Sequence, residues 1–131
     1  MKKKIFYWSP CLNPVGTVIS TINSSKAVSK YSNQYEVSII NACGEWDEFK
    51  DDFLENKIRV VDLGLKYFDL LPKTGFFKSR FSYVLIFLIS FFPLVSLIKK
   101  EKSEYLIAHL ITSLPIFLFK LFNFNTKLIL R

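Results

Sequence analysis

The 131-residue chain is long enough for one domain of ordinary size and too short for two full cores. Half of its residues are apolar and 14 are phenylalanine, which excludes disorder and leaves a soluble core, a membrane-associated domain or a membrane hairpin. The formal charge of +7 draws it to polyanions, but the aromatics lie in apolar runs with only three arginines, Arg59, Arg80 and Arg131, so nucleic acid is disfavoured and anionic lipid fits better.

The cysteines, Cys11 and Cys43, are far apart and form neither a CxxC motif nor a Cys/His cluster. They signal no metal site and no redox motif, and a reducing cytosol suits them. After the basic start at Met1 to Lys4, the apolar stretch Ile5 to Trp8 is too short for the core of a signal peptide.

Ile5 to Ser9 reads as a strand that stops at Pro10, followed by a loop containing Pro14 and Gly16. Val15, Val18, Ile19 and Ile22 then recur at helical spacing and predict an amphipathic helix from Thr17 to about Ser32. Tyr35 to Asn41 is extended in character, and the break at Cys43-Gly44 leads to a short acidic helix, Asp47 to Asn56, with Phe49 and Phe53 one turn apart. Ile58 to Leu63 is β-branched and strand-like, and Gly64 to Lys78 reads as a loop.

Phe81 to Ile98 carries no charge over 18 residues, the threshold length for crossing a bilayer, and basic residues flank it on both sides. It lies within an apolar candidate membrane-contact segment, residues 76–100, although Pro93 would kink a spanning helix. Glu104 to His109 and Thr126 to Leu130 are two further strand-like runs, with a helix expected between Ser113 and Phe122 around Pro115. The order β, α, β, α, β, α, β, α, β predicts an α/β fold: a mostly parallel sheet with helices on both faces.

In such a sheet, ligands gather at the carboxyl ends of the strands. Asn13 to Thr17 leads into the first helix, whose free N–H groups make an anion site that Gly16 would let a phosphate approach; a Pro/Gly turn with an ordinary helix cap is the alternative. Only one of the three glycines of a dinucleotide fingerprint is present, so NAD and FAD are disfavoured. Glu45 and Asp47 follow the second strand, where carboxylates can accept hydrogen bonds from sugar hydroxyls or simply cap a turn. His109, the single histidine, ends the fourth strand, as a general base or as a packing residue.

The strand Lys3 to Ser9, the turn Asn13 to Thr17, the run Ser-Ile-Ile-Asn-Ala-Cys-Gly-Glu within Tyr35 to Asp47, and the block Tyr105 to Arg131 together resemble the family 4-like glycosyltransferases of bacterial surface-polysaccharide clusters. The resemblance implies the acceptor-side, Rossmann-like half of a GT-B enzyme. Such an enzyme moves a sugar from a nucleotide-sugar donor to a lipid-linked acceptor at the inner face of the plasma membrane, without a bound cofactor. It also implies roles: Gly16 and Thr17 toward the donor phosphates, Asn13 and Glu45 toward the acceptor, and His109 at the reaction centre. Lys78, Arg80, Lys99 and Lys100 would face anionic lipid in the inner leaflet. Val15 stands where the family more often has a second glycine. The family's domain continues beyond the position of Arg131, so residues 1–131 are expected to form a single, incomplete domain without transferase activity by itself. A rival reading makes Phe81 to Ile98 and Tyr105 to Phe122 a two-helix membrane hairpin without catalysis.

Overall fold

Side chains on a strand point alternately to opposite faces, and this chain uses both faces of every inner strand. In the computed structural model, which describes residues 1–13, 16–109, 121–122 and 125–131, five strands form one sheet. They are β1 (Lys3–Trp8), β2 (Tyr35–Asn41), β3 (Arg59–Asp62), β4 (Tyr105–Ala108) and β5 (Lys127–Leu130), ordered β3-β2-β1-β4-β5. All four pairings are parallel, with Ile5 opposite Val37 and Tyr105, Ile40 opposite Val61, and Leu106 opposite Leu128. This is the Rossmann-like α/β architecture.

One face carries Ile5, Tyr7, Val37, Ile39 and Ile107 into a core with α1 (Gly16–Tyr31) and α2 (Lys50–Glu55). The other carries Phe6, Trp8, Ile40 and Leu106 against α3 (Phe76–Glu101). Phe6, Tyr7, Ile39 and Ile40 are all fully buried, and each such side chain contributes about 2 kcal/mol of hydrophobic stabilisation. The expected sheet covered on both sides is therefore present, and its strands are apolar on both faces for that reason.

The helix boundaries follow local chemistry. α2 is preceded by a 3₁₀ turn at Asp47–Phe49, and the rings of Phe49 and Phe53 stand edge-on to Trp46 at 5.8 and 5.7 Å. α3 starts five residues before the expected Phe81 and passes through Pro93 without a break in assignment. Its buried serines are satisfied within the fold: Ser82 donates to the Pro72 carbonyl at 2.7 Å, and Ser90 donates back to the Ile86 carbonyl one turn earlier. Lys102, in the left-handed region at φ 49°, ends the helix and turns the chain into β4.

Two expectations are corrected. The buried face of α1 is Val18, Thr21 and Ser25, while Ile19 is 58% exposed; small polar side chains let the helix lie close to β1, where Thr21 bonds Ser9 at 3.1 Å. The two-helix hairpin is overturned, because Tyr105–Ala108 is an inner strand paired to both β1 and β5. The predicted positions of Pro14, Val15 and Pro115 fall outside the described residues, as does most of the helix expected between Ser113 and Phe122.

Candidate functional site at the carboxyl edge

The strand order reverses direction between β1 and β4, so the crevice at their carboxyl ends is the favoured ligand position in this architecture. His109 stands there, its main-chain N–H donating to the Trp8 carbonyl at 3.3 Å. The imidazole is half-buried, and its Nε2 is buried with no partner among the described residues. Burial, then the nearby charge of Arg131, pushes its pKa below the usual value. The ring is therefore neutral near pH 7.

Gly16 and Thr17 open α1 beyond the end of β1, and both are exposed. The first turn of α1 holds no acidic residue, so its positive helix end is uncompensated by a carboxylate. A Cβ added at Gly16 would meet nothing within 4 Å, which means that the space before the helix is open and that no packing contact demands a glycine.

Beside that helix start lies a cleft of about 200 Å³, lined by residues from five separate segments. Cys11, Leu12 and Asn13 come from the loop after β1, Val18 from α1, Glu45 from the turn after β2, Glu48 and Phe49 from the 3₁₀ turn, and Phe68 and Lys73 from the loop before α3. Asn13 fastens the rim by donating to the Lys73 carbonyl at 3.1 Å, and the Lys73 ammonium lies 3.8 Å from the centre of the Phe68 ring. Amide, carboxylate and ammonium groups beside two aromatic rings suit a polyhydroxylated ligand with one apolar face.

Glu45 forms part of the cleft but is itself only 4% exposed. Its two oxygens accept the N–H groups of Ala42 and Cys43 at 2.9 and 2.7 Å, so it holds the β2 turn closed. Burial raises its pKa, and those backbone bonds oppose the rise. Gly44, at φ 105°, supplies the left-handed residue that the turn requires.

Asn41 organises the neighbouring rim and was read from the sequence only as a strand end. Its Oδ1 accepts from the N–H groups of Gly44 and Trp46, and its Nδ2 donates to Asp47 at 2.8 Å and to Asp62. Lys50 and Lys66 each reach Asp47 at 2.8 Å. Burial works to raise the Asp47 pKa, but hydrogen bonds from Lys50, Lys66 and Asn41 outweigh it and hold it at about 2.

The structure thus brings Asn13 and Glu45 to one cleft, with Gly16 and Thr17 beginning the helix whose Val18 borders it. His109 stands at the same edge of the sheet, after β4. Lys78 and Arg80 lie in the first turns of α3 and Lys99 and Lys100 in its last, about 30 Å apart along the helix axis, so they form two clusters and not one. Phe68 and Lys73 were missed because they meet the cleft from a segment distant in sequence, for which the signal available was that the Gly64 to Lys78 loop follows a strand end; Glu48 follows Asp47 directly and reads from the sequence as part of the short acidic helix. Among the described residues no group of three or more His, Cys, Asp or Glu side chains is placed to hold a metal ion. The sequence matches no model of a known protein family and no curated protein. Sequence and structure together therefore establish a Rossmann-like α/β domain with a polar, aromatic-sided cleft at the carboxyl edge of its sheet.

Proposed function

We propose that this chain is the acceptor-side domain of a GT-B, family 4-like glycosyltransferase that moves a sugar from a nucleotide-sugar donor to a lipid-linked acceptor in surface-polysaccharide synthesis. The observation that carries the reading is the cleft of about 200 Å³ in which Asn13 and Glu45 meet Glu48, Lys73, Phe49 and Phe68. That space suits one pyranose ring, with polar groups for its hydroxyls and rings for its C–H face. The Rossmann-like strand order supports the reading, because ligands gather at the carboxyl edge of such a sheet and the cleft lies at that edge, beyond β1 and β2.

In this reading the roles divide by chemistry. The exposed start of α1 at Gly16 and Thr17 meets the donor diphosphate through free N–H groups and the helix dipole. His109, at the same edge of the sheet and with its pKa lowered by burial, is the candidate general base for the attacking acceptor hydroxyl. Glu45 positions the acceptor by shaping the turn, its oxygens being held by Ala42 and Cys43. The reaction takes place in the cytoplasm at the inner face of the plasma membrane, where lipid-linked acceptors present their sugars.

The test is a titration of the ¹⁵N-labelled chain with a panel of methyl pyranosides. Shifts should concentrate on the amides of Asn13, Glu48, Phe49, Phe68 and Lys73. A panel that moves none of them, or moves only residues away from the cleft, rejects the acceptor reading.

A further inference from the structure

The cleft at the carboxyl edge carries more negative than positive charge, and one of its charged groups is left unengaged. Its lining sets two carboxylates, Glu45 and Glu48, against one ammonium, Lys73. Glu45 is turned into the fold, with both oxygens taken by the N–H groups of Ala42 and Cys43. Lys73 is engaged twice, its Nζ lying 3.5 Å from Asp69 Oδ1 and 3.8 Å from the centre of the Phe68 ring. Lys50 and Lys66, the lysines of the neighbouring rim, both bind Asp47, and Lys50 also reaches Asp62. Glu48 is exposed, and its carboxylate has neither an ion pair nor a hydrogen bond among the described residues.

We infer that the sugar taken by this cleft is an amino sugar with a free, protonated amine, and that Glu48 is the residue that selects it. The inference rests on the acceptor reading and adds to it the class of sugar.

Charge, ring faces and size each favour that ligand. The unanswered carboxylate of Glu48 attracts a cation and repels an anion. Aromatic faces attract an ammonium group as well, and the cleft has two rings, Phe49 and Phe68. The Lys73 ammonium over Phe68 shows that this wall accepts an alkylammonium in the native fold. A space of about 200 Å³ has room for one pyranose, to which an amine adds no more bulk than a hydroxyl does, whereas an acetamido group is larger and uncharged. A uronate would bring a second negative charge beside Glu48, and the ammonium that could answer it is already shared with Asp69. A neutral hexose would meet Glu48 with hydroxyls alone, without the gain of a charge-assisted pair.

The test compares methyl glucosaminide, methyl N-acetylglucosaminide, methyl glucoside and methyl glucuronide as ligands of the ¹⁵N-labelled chain, at about pH 6.5, where a sugar amine holds its proton. The glucosaminide should bind at least about fivefold more tightly than the glucoside, the N-acetylated sugar no better than the glucoside, and the glucuronide most weakly. Added salt should narrow the gap between glucosaminide and glucoside. Glu48→Gln should abolish that gap, whereas Glu55→Gln, which removes an exposed carboxylate of α2 outside the cleft, should leave it intact. Equal binding of the four sugars at the cleft amides would overturn the inference and leave the acceptor reading standing. A preference for the glucuronide, or a glucosaminide preference that persists in Glu48→Gln, would do the same. Failure of every sugar to move those amides would overturn both.

Discussion

The main-chain N–H of His109 donates to the carbonyl of Trp8 at 3.3 Å, tying the carboxyl end of β4 to that of β1 at the point where the sheet's strand order reverses. The bond uses backbone atoms only, so it fixes the main chain at His109, while the imidazole Nε2 remains without a partner among the described residues.

Replacing His109 by Gln keeps the backbone bond, so at pH 8 it should cost only about 1 kcal/mol through the half-buried side chain. The pH dependence is where the side chain shows itself. Burial and Arg131 hold the folded pKa below 6.5, so the unfolded chain takes up a proton first as pH falls. The stability of the native protein is complete above pH 6.5 and declines as pH drops from there toward the folded value. Urea unfolding from pH 8 to 5 should show this slope in the native protein and a flatter one in His109→Gln; equal slopes would refute the assignment.

Asp47 acts in a lower window. Its pKa falls from 3.8 to about 2, so its stabilising effect is present above pH 3.8 and is lost as the pH falls toward 2. The carboxylate is 35% exposed, and solvent screening reduces the effect to about 1 kcal/mol. Asp47→Asn should cost about that much at pH 7 and nothing near pH 2, read as the difference in unfolding midpoint at the two pH values.

Glu45→Ala should be among the more damaging single changes at the rim. It leaves the buried N–H groups of Ala42 and Cys43 without acceptors, at a cost of about 2–4 kcal/mol for the two. Equilibrium unfolding in urea measures this directly. Because Glu45 is buried, the variant should also weaken pyranoside binding through a distorted turn; a variant of native stability would remove the structural role assigned here.

The thiols give a fourth readout. Burial, then the charge of Glu45, pushes the Cys11 thiol up to about 12, and the same two causes raise Cys43. Both side chains are buried. Iodoacetamide at pH 8 should label the native chain at least about a hundredfold more slowly than the guanidinium-unfolded chain, as counted by intact mass. Rapid native labelling of either cysteine would show that the carboxyl edge opens.

The strands were legible because their signal is local. Tyr35 to Asn41 is extended in character, with Val37, Ile39 and Ile40 before the Cys43-Gly44 break, and the observed β2 has the expected limits. Helix ends were less so: α3 includes Phe76 to Arg80, where Lys78 and Arg80 hid the helix from a reading based on uncharged length. The face of α1 was misjudged at Ile19, because apolar spacing cannot register that Thr21 and Ser25 satisfy their hydroxyls inside the fold. Asn41 passed as an ordinary strand end because its bonds to Gly44, Trp46 and Asp47 depend on the shape of the turn that follows, and its bond to Asp62 on the pairing of β2 with β3.

By itself the sequence determined the alternation of strand and helix, and with it a parallel sheet buried on both faces, since strand and helix periodicities and apolar runs are properties of neighbouring residues. Tertiary structure decided the rest. The inner face of the helix over Phe81 to Ile98 meets Phe6, Trp8 and Leu106, contacts that no pattern within the helix records. The cleft likewise joins Asn13 to Lys73, 60 positions apart in the chain. Strand order alone brings such segments to one edge, and no short-range pattern records it.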